Sequence, residues 1–201
     1  MVKGSRMASP VHVFFFMVFA LVSPGISFAG EYSERAEVEQ ILAGVVEQGV
    51  DRDWAAALLD QAERKQSILD AISRPAEKTK PWYDYRKIFL TDKRAQEGAA
   101  FAKQHAATLA EVSGSTGVPA SVITAIIGVE TFYGRITGSY RVVDALATLA
   151  FDYPKRSPFF TRELKNFLVL AYESGKDPLA LKGSYAGAMG YGQFMPSSYR
   201  A

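Results

Sequence analysis

VPASVITAIIGVETFYG, from Val118 to Gly134, decides the fold. Its apolar residues recur at helical spacing, and Pro119 suits a first helical turn, where its missing N–H has no partner to lose. Ile123, Ile126 and Ile127 lie seven, four and three residues before Glu130, so all four are predicted to share one face. That face reads as the one to be buried. A carboxyl group carried there would be desolvated, which disfavours its charged form and fits a proton donor. A structural glutamate paired with Arg135 or Arg141, or lying at an exposed helix end, fits the same phase, and spacing leaves both readings open.

Outward from this segment the chain reads as helix almost throughout. Upstream, Thr91 to Val112 is predicted as one helix ending at Gly114, with Phe101, His105, Leu109 and Val112 on a stripe. His105 in that stripe reads as a packed histidine rather than a base or ligand. RPAEKTKPWYDYRKIFL, before it, carries two prolines and the aromatics Trp82, Tyr83 and Tyr85, and reads as a surface excursion. Earlier still, Val38, Ile41, Leu42, Val45 and Val46 form one apolar face. Asp51 is placed to cap a helix through Trp54, Leu58 and Leu59, and Ser67 to Ser73 forms a third. Downstream, VVDALATLAFD and PFFTRELKNFLVLAYESG supply two more helices, with the loop YPKRS between them. No strand alternation, phosphate loop or repeat is visible, so the expected class is mainly α.

Composition excludes several kinds of chemistry. The first residues carry Lys3 and Arg6, an apolar run from Val11 to Val22, and Ser27-Phe28-Ala29, which together read as an export signal cleaved after Ala29. Residues 1–29 are therefore assigned to a signal peptide and residues 30–201 to the fold. Without Lys3 and Arg6 the chain holds 21 basic and 21 acidic residues, so it lacks the basic surface that nucleic acid requires. It has no cysteine, which removes thiol chemistry and a lipid anchor on cysteine, and its two histidines do not make a metal site. No metal and no cofactor are expected.

Glycoside cleavage commonly needs two carboxylates. Besides Glu130, Asp144 and Asp152 are nearest in sequence, and neither spacing makes a confident partner. A site with one carboxylate would need the substrate to supply the missing group. Phe132, Tyr133 and Tyr140 suit the wall of a sugar cleft, and equally suit core packing.

IIGVETFYG followed by GSYAGAMGYGQFMPSSY closely resembles the lytic murein transglycosylase B family, with YRKIF near Tyr85 as a further match. The resemblance runs from about Tyr32 to the last residue. It implies a lysozyme-like helical catalytic domain in the periplasm, acting on peptidoglycan glycan strands, with a monomer expected. Glu130 matches the family's single catalytic acid/base. It would protonate the oxygen between N-acetylmuramic acid and N-acetylglucosamine, then take the proton from the muramic acid C6 hydroxyl as a 1,6-anhydro ring closes. Ser184 and Gln193 match positions lining the sugar sites, Tyr191 and Met195 match wall residues, and Tyr85 resembles a substrate-contacting tyrosine. Lys155 and Arg156 fall where the family often carries basic residues. Family domains continue past MPSSYR, so the chain reads as the N-terminal part of such a domain. A peptidoglycan-binding protein without turnover, or a hydrolytic muramidase recruiting Asp144 or Asp152, are the alternatives.

Overall fold

A computed structural model describes Met1, residues 30–74 and residues 80–201. The expected signal peptide therefore lies, apart from Met1, outside the described residues.

The core forms where apolar helical faces meet. Helix α1 (Ala36–Val46) buries Val38, Ile41, Leu42 and Val45, while Val46, at the edge of the same face, stays exposed. Helix α2 (Arg52–Asp60) starts at Asp51, whose side chain accepts the Trp54 N–H at 2.8 Å, and buries Ala55, Leu58 and Leu59. Helix α3 (Gln66–Ser73) contributes Ile68. These pack around α8 (Val142–Asp152) and α9 (Ser157–Ser174), which are in mutual contact. Every residue of α8 from Val142 to Ala150 is buried, and α9 adds Phe160, Leu164, Phe167 and Leu168. Each such side chain contributes about 1.5–3 kcal/mol on burial.

Polar groups in this core are paired. Asp144, 1% exposed, accepts the Glu63 N–H at 2.9 Å and two hydrogen bonds from the Arg141 guanidinium at 2.7 and 2.8 Å. Asp152 pairs with Arg35 and Arg64 at 2.8 and 3.3 Å and accepts the Tyr32 hydroxyl at 3.0 Å. Burial pushes the Tyr32 hydroxyl well above its usual range. The hydrogen bond to Asp144 raises Arg141, whereas the Lys65 ammonium holds the Glu63 carboxyl low.

A second helical group is built differently. After the short α4 (Trp82–Tyr85) and a 3-10 turn at Arg86–Ile88, α5 (Asp92–Gln104) and α6 (Ala106–Thr116) replace the single helix expected there. The break is at His105, which leaves helical geometry (φ −107, ψ 23) with its ring 4.4 Å from that of Phe101. Phe101 and Leu109 are buried on either side of it. Helix α6 ends not at Gly114 but at Gly117, which takes the left-handed φ of 72°. The chain then turns by 114° into α7 (Ala120–Thr131).

The face of α7 that the isoleucines were expected to bury is not its buried face. Thr124, Gly128 and Thr131 are buried, while Val122, Ile126 and Val129 are exposed and Ile123 and Ile127 are half-buried. The reason is steric. A Cβ on Gly98 of α5 would stand 2.5 Å from the Tyr133 hydroxyl, and one on Gly128 of α7 would stand 2.7 Å from the Tyr133 ring. Small residues let the two helices close on that ring, so fit rather than hydrophobicity selects the face. Among the described residues, no single helix is long and apolar enough to cross a membrane.

Among the described residues, strand structure is confined to a two-residue antiparallel ribbon, too short for any alternation to show in sequence. In it β1 (Tyr140–Arg141) pairs Tyr140 with Gly183 and Arg141 with Lys182 of β2 (Lys182–Gly183). Isolated bridges from Gly183 to Met189 and from Met189 to Phe194 fold the glycine-rich segment back on itself. The short α10 (Pro196–Tyr199) follows, held to α9 by Ser197, whose N–H and hydroxyl both donate to Glu163 at 2.9 and 2.7 Å.

Candidate active site

Glu130 occupies the last turn of α7 and its side chain is exposed. The burial expected for its carboxyl is therefore missing: like Ile126 and Val129 nearby on α7, the side chain is exposed. What the structure fixes is the backbone next to it. Thr131 is fully buried, and its hydroxyl oxygen lies 3.1 Å from the Ile127 carbonyl and 3.0 Å from the Tyr191 carbonyl. It also accepts the Gly134 N–H at 2.9 Å. One hydroxyl therefore joins the end of α7 to the glycine-rich segment, serving one of the two carbonyls at a time.

The turn after Thr131 is conformationally expensive. Phe132 and Tyr133 have φ of 51° and 59°, in the left-handed region, at a cost of order 1–3 kcal/mol each. Gly134 and Gly138 follow at φ 83° and 98°. A Cβ at Gly138 would stand 2.0 Å from the Gly183 backbone, so only glycine lets the two segments touch. A Cβ at Gly134 would stand 2.5 Å from the Tyr191 ring.

Across this junction, the glycine-rich segment presents the other expected site residues. Ser184 is half-buried, and its hydroxyl oxygen accepts the Ala186 and Ala188 N–H groups at 3.2 and 3.1 Å, which closes the turn around Gly187. Its hydroxyl proton remains for a ligand. Gln193 sits at φ 49° and spends its amide nitrogen on the carbonyls of Thr137 and Gly190, at 3.1 and 3.0 Å. Its side-chain carbonyl is thus the group it offers outward. Tyr191 is 49% exposed, with its ring 6.2 Å from that of Phe101.

Four expected residues lie away from the Thr131 junction. Met195 packs its half-buried side chain against the core. Tyr85 is exposed in α4 and stacks near Phe89 and Trp82, at 5.3 and 6.3 Å, reaching α7 only by way of Phe89. Lys155 and Arg156 lie at the opposite end of α8 from β1, about 16 Å along a helix of this length. There Arg156 stacks on Phe159 at 4.3 Å. Tyr140 packs against the core and donates to Ser67 at 3.2 Å, so of the three candidate aromatics it is a core residue.

Asp144 and Asp152, the possible second carboxylates, are held in the ion pairs of the core. Among the described residues, no cluster of three histidine, aspartate or glutamate side chains could hold a metal ion. Sequence reasoning missed Thr131 and Arg94, whose guanidinium stacks on Phe132 at 4.5 Å; Arg135, weighed as a partner for Glu130, instead pairs with Glu97 at 2.7 Å and stacks on Phe132 at 4.6 Å. A threonine closing an apolar helix was the only available signal for the first, and it does not name its partner.

The chain as a whole, with this junction between α7 and the glycine-rich segment, has relatives among known proteins. The family model described as a transglycosylase SLT domain matches residues 33–201. The chain belongs to this family. Its sequence is 42% identical over 185 residues to the membrane-bound lytic murein transglycosylase B of Escherichia coli, a match covering 87% of this chain and 51% of that protein. The catenated lytic transglycosylase SltB1 of Pseudomonas aeruginosa superposes with a TM-score of 0.80 at 53% identity, covering 85% of this chain and 56% of SltB1. SltB3 of the same organism, solved in complex with NAG-anhNAM-pentapeptide, superposes with a TM-score of 0.74 at 28% identity over 82% of this chain and 44% of SltB3. The chain thus spans about half the length of the relatives it matches. The helical architecture is that of a lytic transglycosylase, the lysozyme-like fold expected from sequence.

Proposed function

We propose that residues 30–201 form the N-terminal part of a peptidoglycan lytic transglycosylase domain, exported to the periplasm behind a signal peptide at residues 1–29. Glycan strands are the substrate, Glu130 is the single acid/base, and the domain works as a monomer. The observation that supports this reading is the junction at Thr131, the residue after Glu130, whose hydroxyl reaches the Tyr191 carbonyl in the segment that also carries Gln193. The commitment of Asp144 and Asp152 to buried ion pairs supports a one-carboxylate mechanism over the two-carboxylate hydrolytic one. SltB3's complex with an anhydro-muramyl peptide supports the substrate class and the product.

In the proposed reaction the Glu130 carboxyl protonates the oxygen leaving C1 of N-acetylmuramic acid, and the C1–O bond breaks. The substrate's N-acetyl group assists at C1 in place of a second carboxylate. The C6 oxygen then bonds to C1 while its proton passes to the Glu130 carboxylate, which restores the acid. No water is consumed. Ser184 contributes a hydroxyl proton and Gln193 a carbonyl to the bound sugar, Tyr191 supplies an apolar wall, and Met195 and Tyr85 act at the margins of the cleft.

The test is digestion of purified murein by the protein, with products read by mass spectrometry. Anhydro-muramyl ends, each one water lighter than a reducing end, are expected. Reducing muramic acid ends would make the protein a hydrolase. The exposure of Glu130 favours one second reading, a glycan-binding protein without turnover; binding to sacculi with no soluble product would establish it.

A further inference from the structure

Helix α5 lies outside the junction of α7 and the glycine-rich segment, yet one of its residues touches the chain on both sides of Glu130. The Arg94 guanidinium donates to the carbonyl of Gly128, two residues before Glu130. The same guanidinium stacks on the ring of Phe132, two residues after it, at 4.5 Å. The Arg94 backbone carbonyl accepts the Tyr133 hydroxyl at 2.9 Å. Its own N–H is held by the Thr91 hydroxyl at 3.2 Å, and Phe89 lies 5.3 Å from the guanidinium. Arg135, paired with Glu97 of α5 at 2.7 Å, also stacks on Phe132, at 4.6 Å.

We propose that Arg94 is a positioning residue for Glu130, clamping the left-handed turn at Phe132 and Tyr133 so that the carboxyl keeps one direction toward the glycine-rich segment. This rests on the acid/base role proposed above for Glu130. Two adjacent non-glycine residues at positive φ persist only when their surroundings over-determine them. Thr131 fixes that turn from the side of Tyr191, and Arg94 fixes it from the side of α5. The guanidinium is suited because it is planar and carries several donors, so it stacks and donates at once. A lysine keeps the charge and one donor but loses the stacked plane. Because Glu130 is exposed, its own side chain is not packed in place, and its aim depends on the backbone that carries it.

The experiment compares the wild-type chain with Arg94→Ala and Arg94→Lys by two readouts. Amide hydrogen exchange should rise by about tenfold or more at Gly134 and Arg135 in Arg94→Ala, with α8 and α9 unchanged. Murein turnover per folded molecule should fall by roughly 10–100-fold in kcat with KM within about twofold, since a displaced catalytic group costs rate rather than binding. Arg94→Lys should recover part of both losses. Unchanged exchange at the turn would overturn the clamp. Faster exchange with kcat intact would show that Arg94 only stabilises the fold, and would also overturn the proposal. If the wild-type chain forms no product, the acid/base reading of Glu130 fails by itself, and exchange at Gly134 still decides whether the clamp exists.

Discussion

Helices α7 and α8 are both apolar, yet they are used in opposite ways. Helix α8 buries nine consecutive residues, from Val142 to Ala150, because α9 packs along it and α3 and the β1 ribbon also contact it. Helix α7, with its isoleucine-rich sequence, buries only Thr124, Gly128 and Thr131. Its large side chains at Val122, Ile126 and Val129 remain between 45% and 47% exposed. Hydrophobicity states what a helix can bury, and the neighbouring surface decides what it does bury. In α8 the helix is enclosed on all sides from Val142 to Ala150. In α7 a thin seam of small residues holds the helix, and the end that carries Glu130 projects from it.

The largest effect expected separates these roles directly. Glu130→Gln should remove most murein turnover, about 10²–10⁴-fold, the usual share of a general acid/base. Its thermal stability should stay within about 0.5 kcal/mol of wild type, because the side chain is exposed. Near-normal turnover would end the assignment of the acid/base role. Asp144→Ala should do the reverse, with a loss of about 3 kcal/mol of stability by denaturant titration, since it strips Arg141 and the Glu63 N–H of a buried partner. A loss under about 1 kcal/mol would show that the pair is not what holds β1 to the start of α8. A matched pair of truncations sharpens the contrast further. Leu146→Ala should cost about 2–5 kcal/mol, whereas Ile126→Ala on the exposed face of α7 should cost under about 1 kcal/mol. Equal costs would mean that α7 is covered in solution.

This contrast also marks what was legible in the sequence. Where burial is local and continuous, periodicity sufficed: the faces of α1 and α2 and the Asp51 cap are as the spacing of Val38, Ile41, Leu42 and Val45 requires. Where burial depends on a distant partner, periodicity misled. The isoleucine face of α7 looked like core because no one-dimensional pattern shows that Gly98 and Gly128 admit the Tyr133 ring. The break at His105 was hidden for a similar reason, since the stripe from Phe101 to Leu109 continues across it. For the candidate site, phase singled out Glu130 but misread its burial, and the hydroxyl linking Thr131 to Tyr191 spans sixty residues of sequence. Only the paired motifs IIGVETFYG and GSYAGAMGYGQFMPSSY tied those two segments together beforehand. Arg94 has no sequence signature, because its partners are a backbone carbonyl and a ring.

The smallest effect tests whether the enclosed half is closed at its N-terminal edge as well. Tyr32 is fully buried, with its ring stacked 4.7 Å from Phe151 and its hydroxyl on Asp152. Burial raises its ionisation above the ordinary value of 10.0 that the unfolded chain should show. Below pH 10 both states keep the proton, and the contribution of Tyr32 to stability is fully present. Above it the unfolded chain ionises first, so stability falls as pH rises toward the folded-state value. Melting temperatures measured from pH 8 to 11 should therefore decline less steeply in Tyr32→Phe than in wild type, at a cost of about 1 kcal/mol at neutral pH for the lost hydrogen bond. Tyr199, raised by the same desolvation, remains in both proteins and sets the slope they share. Parallel alkaline limbs would mean that water reaches the Tyr32 hydroxyl, and that the edge beside α8 opens as readily as the surface around α7.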